Sequence, residues 1–310
     1  MFIAAAMLSH RHNSSFLVLL LILQGFAVAS NGDDPPTATY HTETSEVRVI
    51  FFTTDDTNHP LTNINQDDFA IIDGEIVIRE FRSLARSQET GLDVVVMVDA
   101  SESVANRLQM TMHDVLQLVF QKQLTSDDNL SVVSFGGLQT VVLCTGDCRD
   151  SSQRLLSVKA ADATPLFDAL AYSATFLSRR FSPAVRPVLI LFSDGDDTVS
   201  KISASDALQA VIESGALLYT IDVSNAGYDS HGSIVLQRMA EATGGRYFPN
   251  RQSAANVLQA AREDLRASYV VTYQLPGAVT GFHSLRILPK HNLNLKFHCR
   301  SGYYYGTDIP

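Results

Sequence analysis

The chain has 310 residues, of which 45% are hydrophobic and 18% are charged, and its formal net charge is −10. This length and composition suit one large or two modest globular domains. The acidic balance and the lack of a basic run argue against nucleic acid as a partner, because binding to phosphates depends on Lys and Arg.

Residues 1–29 have the features of a secretory signal peptide. His10, Arg11 and His12 form a basic region, an apolar run follows from Phe16, and Ala27-Val28-Ala29 is a small-residue cleavage site. The apolar run is shorter than the roughly 20 residues that a membrane-spanning helix needs. We therefore expect cleavage rather than an uncleaved anchor, with no membrane span afterwards, and an exported protein that is secreted, periplasmic or on the cell surface.

Residues 30–90 are predicted to form a lead-in followed by a β segment. Residues 30–44 are polar and contain Pro35-Pro36, which is typical of a disordered lead-in. Turn signals and alternating hydrophobicity then indicate a small sheet with one solvated face. The predicted strands are 46–52, 68–75 and 76–81.

From residue 91 to residue 266 the pattern changes to alternating strands and helices. Six of the seven residues from Leu92 to Val98 are apolar, which indicates a strand buried on both faces, as in a parallel sheet. This alternation predicts an α/β fold with a doubly wound, mostly parallel sheet. The other predicted strands are 130–135, 139–143 at an edge, 188–193, 216–223 and a short one before Phe248, and the predicted helices are 105–122, 166–180, 204–213, 234–242 and 254–266.

Residues 267–310 return to a β pattern. Predicted strands are 269–274, 284–288 and 293–297, and the tyrosine-rich segment 302–306 closes the chain. Each β flank has too few strands to be stable alone. We therefore expect the C-terminal β segment to pack with the N-terminal one into a small β domain.

The chain has three cysteines, Cys144, Cys148 and Cys299. An exported protein can form disulfides. The turn-like segment from Cys144 to Cys148 could close a small ring, and Cys299 would then remain a free thiol. We predict a Cys144–Cys148 disulfide.

Three oxygen donors follow the strand that begins at Leu92. Asp99 ends that strand, and Ser101 and Ser103 follow at two-residue spacing, just before a predicted helix. Ligands of open α/β sheets bind at this carboxyl edge, and oxygen donors suit a hard cation such as Mg²⁺. The alternative is that these residues only cap the helix, since Ser and Asp are common N-caps.

Two further segments favour a metal site. Thr164 precedes a predicted helix, and Asp194 ends a second buried strand. The ordered set Asp99, Ser101, Ser103, Thr164 and Asp194 resembles the metal-ion-dependent adhesion site of von Willebrand factor A (VWFA) domains. The resemblance implies a Rossmann-like fold over residues 91–266. It also implies that Ser101 and Ser103 bind the metal directly, that Thr164 does so when ligand is bound, and that Asp99 and Asp194 act largely through metal-bound water.

The flanks extend this resemblance. The segments Asp67-Asp68-Phe69, Asp73-Gly74 and Arg300-Ser301-Gly302-Tyr303-Tyr304 look like those of an exported bacterial VWFA-related subgroup with flanking β segments. The nearby acids Asp196 and Asp197 are interpreted as a solvated loop rather than as cation-recruiting groups. Asp168 is expected to pair with the dipole of its helix.

The resemblance implies a metal-dependent protein-binding module for adhesion or assembly. Its Mg²⁺, or Mn²⁺ or Ca²⁺, would bind an Asp or Glu carboxylate of a protein partner. We do not expect an enzyme, because no Gly-rich phosphate loop, Ser/His/Asp order or two-metal acid cluster is visible. A metal-dependent hydrolase and a structural domain with an empty site remain as alternatives.

Overall fold

The structure is a computed structural model that describes residues 40–41, 46–120, 124–182, 184–224, 230–249, 252–275 and 280–306. The predicted signal peptide and nearly all of the lead-in lie outside these residues. No helix in the described ranges is both long enough and apolar enough to cross a membrane.

The described residues contain fifteen strands and six helices. The strands are β1 (Tyr40–His41), β2 (Glu46–Thr54), β3 (Phe69–Asp73), β4 (Ile76–Ile78), β5 (Ser83–Arg86), β6 (Gly91–Asp99), β7 (Asn129–Gly136), β8 (Gln139–Thr145), β9 (Val185–Ser193), β10 (Leu217–Asp222), β11 (Tyr247–Phe248), β12 (Tyr269–Gln274), β13 (Gly281–Pro289), β14 (Lys296–Cys299) and β15 (Gly302–Tyr305). The helices are α1 (Ala105–Phe120), α2 (Ser152–Leu156), α3 (Leu166–Ser178), α4 (Ala204–Ser214), α5 (His231–Thr243) and α6 (Ala254–Arg266).

The central sheet has the strand order β11-β10-β9-β6-β7-β8. All neighbouring strands are parallel except β7 and β8, which form the predicted edge hairpin. Side chains of β6 alternate between two cores: Val96 packs in the cluster that includes residues of α1 and α6, and Met97 packs with residues of α3, α4 and α5. Helices therefore cover both faces, and the predicted doubly wound fold is confirmed.

The two flanks form two antiparallel sheets that both contain strands from each end of the chain. In one, β2 pairs with β12 on one side and with β1 and β14 on the other, and β5 pairs with the far side of β12. The other has the order β15-β13-β3-β4. The strands of the two flanks therefore pair with each other, as expected. Because β5 leads directly into β6, these sheets join the central sheet at its amino edge.

A buried carboxylate links the strands of the flanks. Asp73, at the end of β3, accepts hydrogen bonds from the hydroxyls of Tyr273 (2.8 Å) and Tyr303, and its other oxygen lies 3.1 Å from Nδ1 of His283. These three partners come from β12, β15 and β13, so one side chain of the N-terminal flank organises three strands of the C-terminal flank.

The position of strand β14 departs from the sequence prediction. The strand expected at 293–297 lies at Lys296–Cys299 instead. The side chain of Asn292 accepts the backbone N–H of Asn294 at 3.1 Å, and Leu293 is 79% exposed. This side-chain turn overrides the apolar alternation that suggested a strand.

The predicted disulfide is present in the structure. Cys144 and Cys148 are joined across a Cα–Cα distance of 5.4 Å, and Cys299 is a free cysteine. The bridge ties the end of β8 to the short turn that precedes α2.

Acidification is expected to destabilise the protein through His298. Its ring stacks on Phe52 with 4.5 Å between centroids, and burial lowers its pKa from 6.5 to about 4. Between these values the unfolded chain binds a proton that the folded protein does not, so stability falls as pH decreases. Urea unfolding should show that the wild type loses about 2 kcal/mol more than His298→Gln between pH 7 and pH 4.5. Equal losses would contradict this role.

Candidate metal centre

The candidate site begins at the carboxyl end of β6, the strand between β7 and β9. Asp99 is only 2% exposed. Its Oδ1 accepts the backbone N–H of Ser101 at 2.9 Å, and its Oδ2 accepts the hydroxyl of Ser193 at 2.7 Å. The hydroxyl oxygens of Ser101 and Ser103 lie 2.9 Å apart. Asp99 thus fixes the turn that carries the two serines, and Ser103 is exposed while Ser101 is buried.

The second carboxylate lies on the loop after the neighbouring strand β9. Asp194 is 8% exposed, and its Oδ1 accepts the backbone N–H of Asp196 at 3.2 Å. Gly195 has a φ of +82°, which favours glycine. A Cβ on Gly232 of α5 would lie 2.0 Å from the carbonyl oxygen of Asp194. The close approach of α5 therefore holds this loop in place.

The electrostatics of the two carboxylates favour a cation. Burial raises the pKa of Asp99 to about 6, hydrogen bonds from Ser193 and Ser101 oppose the shift, and the charge of Asp194 adds to it. Within the described part of the chain, neither Asp99 nor Asp194 forms an ion pair with Lys, Arg or His. Two buried acids therefore lie at the carboxyl edge of the sheet without a positive partner among the described residues, although a buried charge is normally paired or bound to metal.

Thr164 lies on a third loop at the same edge and is buried. Its backbone N–H donates to the hydroxyl of Thr198 at 2.9 Å, and its carbonyl accepts the backbone N–H of Thr198 at 2.9 Å. The backbone N–H of Ala161 donates to the carbonyl of Ala100 at 2.8 Å. The segment that carries Thr164 is thereby attached to both of the loops that carry the aspartates.

The loop after Asp194 also caps helix α3, which the sequence did not reveal. Pro165 stands at the N-cap of α3 and supplies no side-chain cap. The hydroxyl of Ser200 accepts the backbone N–H groups of Phe167 (3.0 Å) and Asp168 (3.1 Å), and it donates to Asp197. Asp197, interpreted from the sequence as part of a solvated loop, is partly exposed and also supports this helix cap through Ser200.

The side chain of Asp168, on α3, also binds the loop that follows Asp194. Its Oδ1 accepts the backbone N–H groups of Lys201 at 3.0 Å and of Ile202 at 3.2 Å. Asp168 therefore has a specific partner segment beyond the expected pairing with the dipole of α3. The three loops of the site are linked by hydrogen bonds that do not use the hydroxyls of Ser103 and Thr164.

The donor set matches the chemistry of a hard cation. The five predicted residues supply two carboxylates and three hydroxyls, all oxygen donors, which Mg²⁺ and Ca²⁺ prefer. Among the described residues, no group of three or more His, Cys, Asp or Glu side chains is arranged to hold a metal. The chemistry available is therefore that of two carboxylates and three neutral hydroxyls, in which the hydroxyls would contribute no charge to neutralise a bound cation.

A family model agrees with this architecture. The family model of the von Willebrand factor type A domain matches residues 93–263. The chain belongs to this family, as the sequence resemblance indicated. Domains of the family are mostly protein-interaction modules rather than enzymes. A comparison with curated proteins found no match.

Solved structures similar to this chain include three bacterial proteins. An aerotolerance-related membrane protein from Bacteroides fragilis, with mutations to serine, is 18% identical, with 56% of this chain and 98% of that chain covered and a TM-score of 0.42. BatB from Bacteroides thetaiotaomicron is 15% identical, with 57% and 99% covered and a TM-score of 0.41. A von Willebrand factor type A protein from Catenulispora acidiphila is 16% identical, with 86% and 65% covered and a TM-score of 0.46.

Proposed function

We propose that this protein is an exported, metal-dependent protein-binding module for adhesion or assembly. The observation that carries the proposal is the pair of buried carboxylates, Asp99 and Asp194, at the carboxyl edge of the sheet. They have no positive partner among the described residues and lie beside loops rich in hydroxyls.

The five candidate site residues have different proposed roles, which follow from their chemistry. Ser101 and Ser103, whose hydroxyls lie 2.9 Å apart, would be the direct ligands. Thr164 would add a hydroxyl ligand in the complex with the partner. Asp99 and Asp194 would orient hydroxyls and water, and together they would balance a divalent charge. A bound Mg²⁺, Mn²⁺ or Ca²⁺ would supply a coordination position for a carboxylate oxygen of the partner, because neutral hydroxyls leave the cation attractive to a further anion.

Export is supported by two features of the chain. Residues 1–29 have the pattern of a signal peptide. The Cys144–Cys148 disulfide suits an oxidising compartment outside the cytosol. We therefore place the binding event in the periplasm, at the cell surface or in the medium.

Divalent metal is expected to stabilise the purified protein. A ligand that binds only the folded state adds about 2.7 kcal/mol at a hundredfold excess over its dissociation constant. For a chain of this size that corresponds to a rise in Tm of roughly 4–5 °C. Melting curves with chelator and with millimolar Mg²⁺, Mn²⁺ or Ca²⁺ give the measurement, and Ser101→Ala should lose most of the rise.

The matched control is Ser205→Ala, which removes an exposed hydroxyl on α4 that is not one of the five predicted site residues. This variant should keep the full metal effect. Superimposable wild-type curves with and without metal, together with crystals grown in Mg²⁺ that show no metal density, would mean that the cluster is only a set of helix caps. Hydrolysis of esters or phosphoesters that a chelator abolishes would instead favour an enzyme.

A further inference from the structure

A small cavity of about 30 Å³ lies where the flanking sheets meet the amino edge of the central sheet. Six parts of the chain surround it: strand β2, the start of β9, the connection from α4 to β10, the residue after α5, the end of α6 with the residues that follow it, and the end of β14 with Arg300. Two of its lining residues are arginines, Arg186 and Arg300, which are only 5% and 7% exposed.

Neither arginine has an acidic partner in the described ranges. Arg186 donates from Nη2 to the hydroxyl of Ser87, and its buried Nε has no hydrogen-bond partner. Arg300 donates from Nη1 to the carbonyl oxygen of Ile212 at 2.8 Å. No ion pair to Asp or Glu within 4 Å includes either guanidinium.

The rest of the cavity lining offers no negative charge. It contains no Asp or Glu. Its other titratable side chains are neutral at pH 7, since burial lowers the pKa of His298 to about 4 and raises the pKa of the Cys299 thiol to about 12. Burial lowers the pKa of Arg186 to about 10, and burial together with the charge of Arg186 lowers the pKa of Arg300 to about 10, so both guanidiniums remain protonated at neutral pH.

Two buried positive charges at one cavity are costly unless a negative charge compensates them. We propose that this cavity binds one small inorganic anion, of the size of chloride, between Arg186 and Arg300. The cavity exceeds the about 10–15 Å³ that a single water needs, but it is too small for a phosphate or an organic acid. The unpartnered Nε of Arg186 is the donor that the anion satisfies.

The bound anion also joins the two parts of the molecule. Arg186 lies at the start of β9 in the central sheet, and Arg300 follows β14 of the flanking sheet. By compensating both side chains, the anion holds the C-terminal flank against the amino edge of the VWFA domain. The anion site therefore stabilises the fold. It lies at the amino edge of the central sheet, opposite the candidate metal centre.

Thermal melting at constant ionic strength tests this site. The sample is the full exported chain without metal. Its melting is compared in solutions of chloride and of gluconate, an anion that is too large for the cavity. Above the dissociation constant, each tenfold increase in chloride should raise the Tm of the wild type by about 3–5 °C. Arg300→Met should abolish this dependence while melting in gluconate no lower than the wild type, because it removes an uncompensated buried charge. Arg238→Met, which removes an exposed arginine on α5, should respond to chloride as the wild type does.

Crystals of the wild type grown in sodium bromide provide a second readout that does not depend on the folding of a variant. An anomalous peak between the guanidiniums of Arg186 and Arg300 would support the site. A wild-type Tm that is the same in chloride and gluconate, or a cavity that contains only water in bromide crystals, would overturn the proposal.

Discussion

Asp194→Ala is expected to abolish metal-dependent binding of the partner while leaving the fold largely intact. Asp194 lies on a loop, and its side chain accepts one local hydrogen bond, from the backbone of Asp196. Its loss removes one of the two charges that compensate the cation. Changes to residues that orient metal ligands cost about 10–100-fold in metal affinity, so at submillimolar Mg²⁺ the site would be empty and the partner would not bind.

A cross-linking pull-down from the native compartment, with and without chelator, measures this effect. The charge-matched control is Asp196→Ala, because Asp196 is exposed and two residues away. If Asp194 acts at the metal itself, the control should retain chelator-sensitive binding. If both variants bind equally weakly, Asp194 contributes only to the general negative potential of the loop, and its proposed role is wrong.

Asp73→Ala is expected to be the most destabilising substitution in the flanking sheets. Asp73 is buried and has three partners, Tyr273, Tyr303 and His283, on three different strands. Removal of the carboxylate leaves two tyrosine hydroxyls and an imidazole without their acceptor in the interior. We expect the free energy of unfolding to fall by about 3–5 kcal/mol, a large share of the stability of a typical domain.

Urea unfolding of the wild type and two variants provides the measurement. Tyr303→Phe removes a single donor and keeps the ring, so it should cost only about 1–2 kcal/mol. If the loss for Asp73→Ala is no larger than the loss for Tyr303→Phe, the carboxylate does not organise the flanks. Hydrogen exchange of β12 and β13 would locate the effect, since their amides should lose protection first.

The central sheet was predictable because the apolar pattern of its strands is visible in the sequence. The run from Leu92 to Val98 is apolar almost throughout, as burial on both faces demands. Helix α6 was predicted with the bounds that the structure shows, Ala254–Arg266. Strand β5 was missed because Ser83–Arg86 is mostly exposed and polar, and only its pairing with β12 makes it a strand.

The candidate site was predictable in its position but not in its support. Strands that end in Asp99 and Asp194 indicated a common edge, and the order of the hydroxyl residues indicated a metal. The partner of Asp99, Ser193, is 94 residues away, and Ser200 caps a helix that begins over thirty residues before it. Such contacts depend on how loops from different parts of the chain meet, and no local spacing encodes them.

The interleaving of the two flanks has a consequence for biosynthesis. Phe51 of β2 pairs with Tyr269 of β12 and with Cys299 of β14, so two of the three strands that pair with β2 are translated after the whole VWFA domain. The domain, with its mostly sequential βα contacts, can complete its folding first, whereas β2 must wait through a long loop closure. Until then β2 presents unpaired edges, the state in which strands aggregate. A chain that emerges amino terminus first is therefore expected to depend on chaperones more for β2, near its amino terminus, than for the strands that it synthesises last.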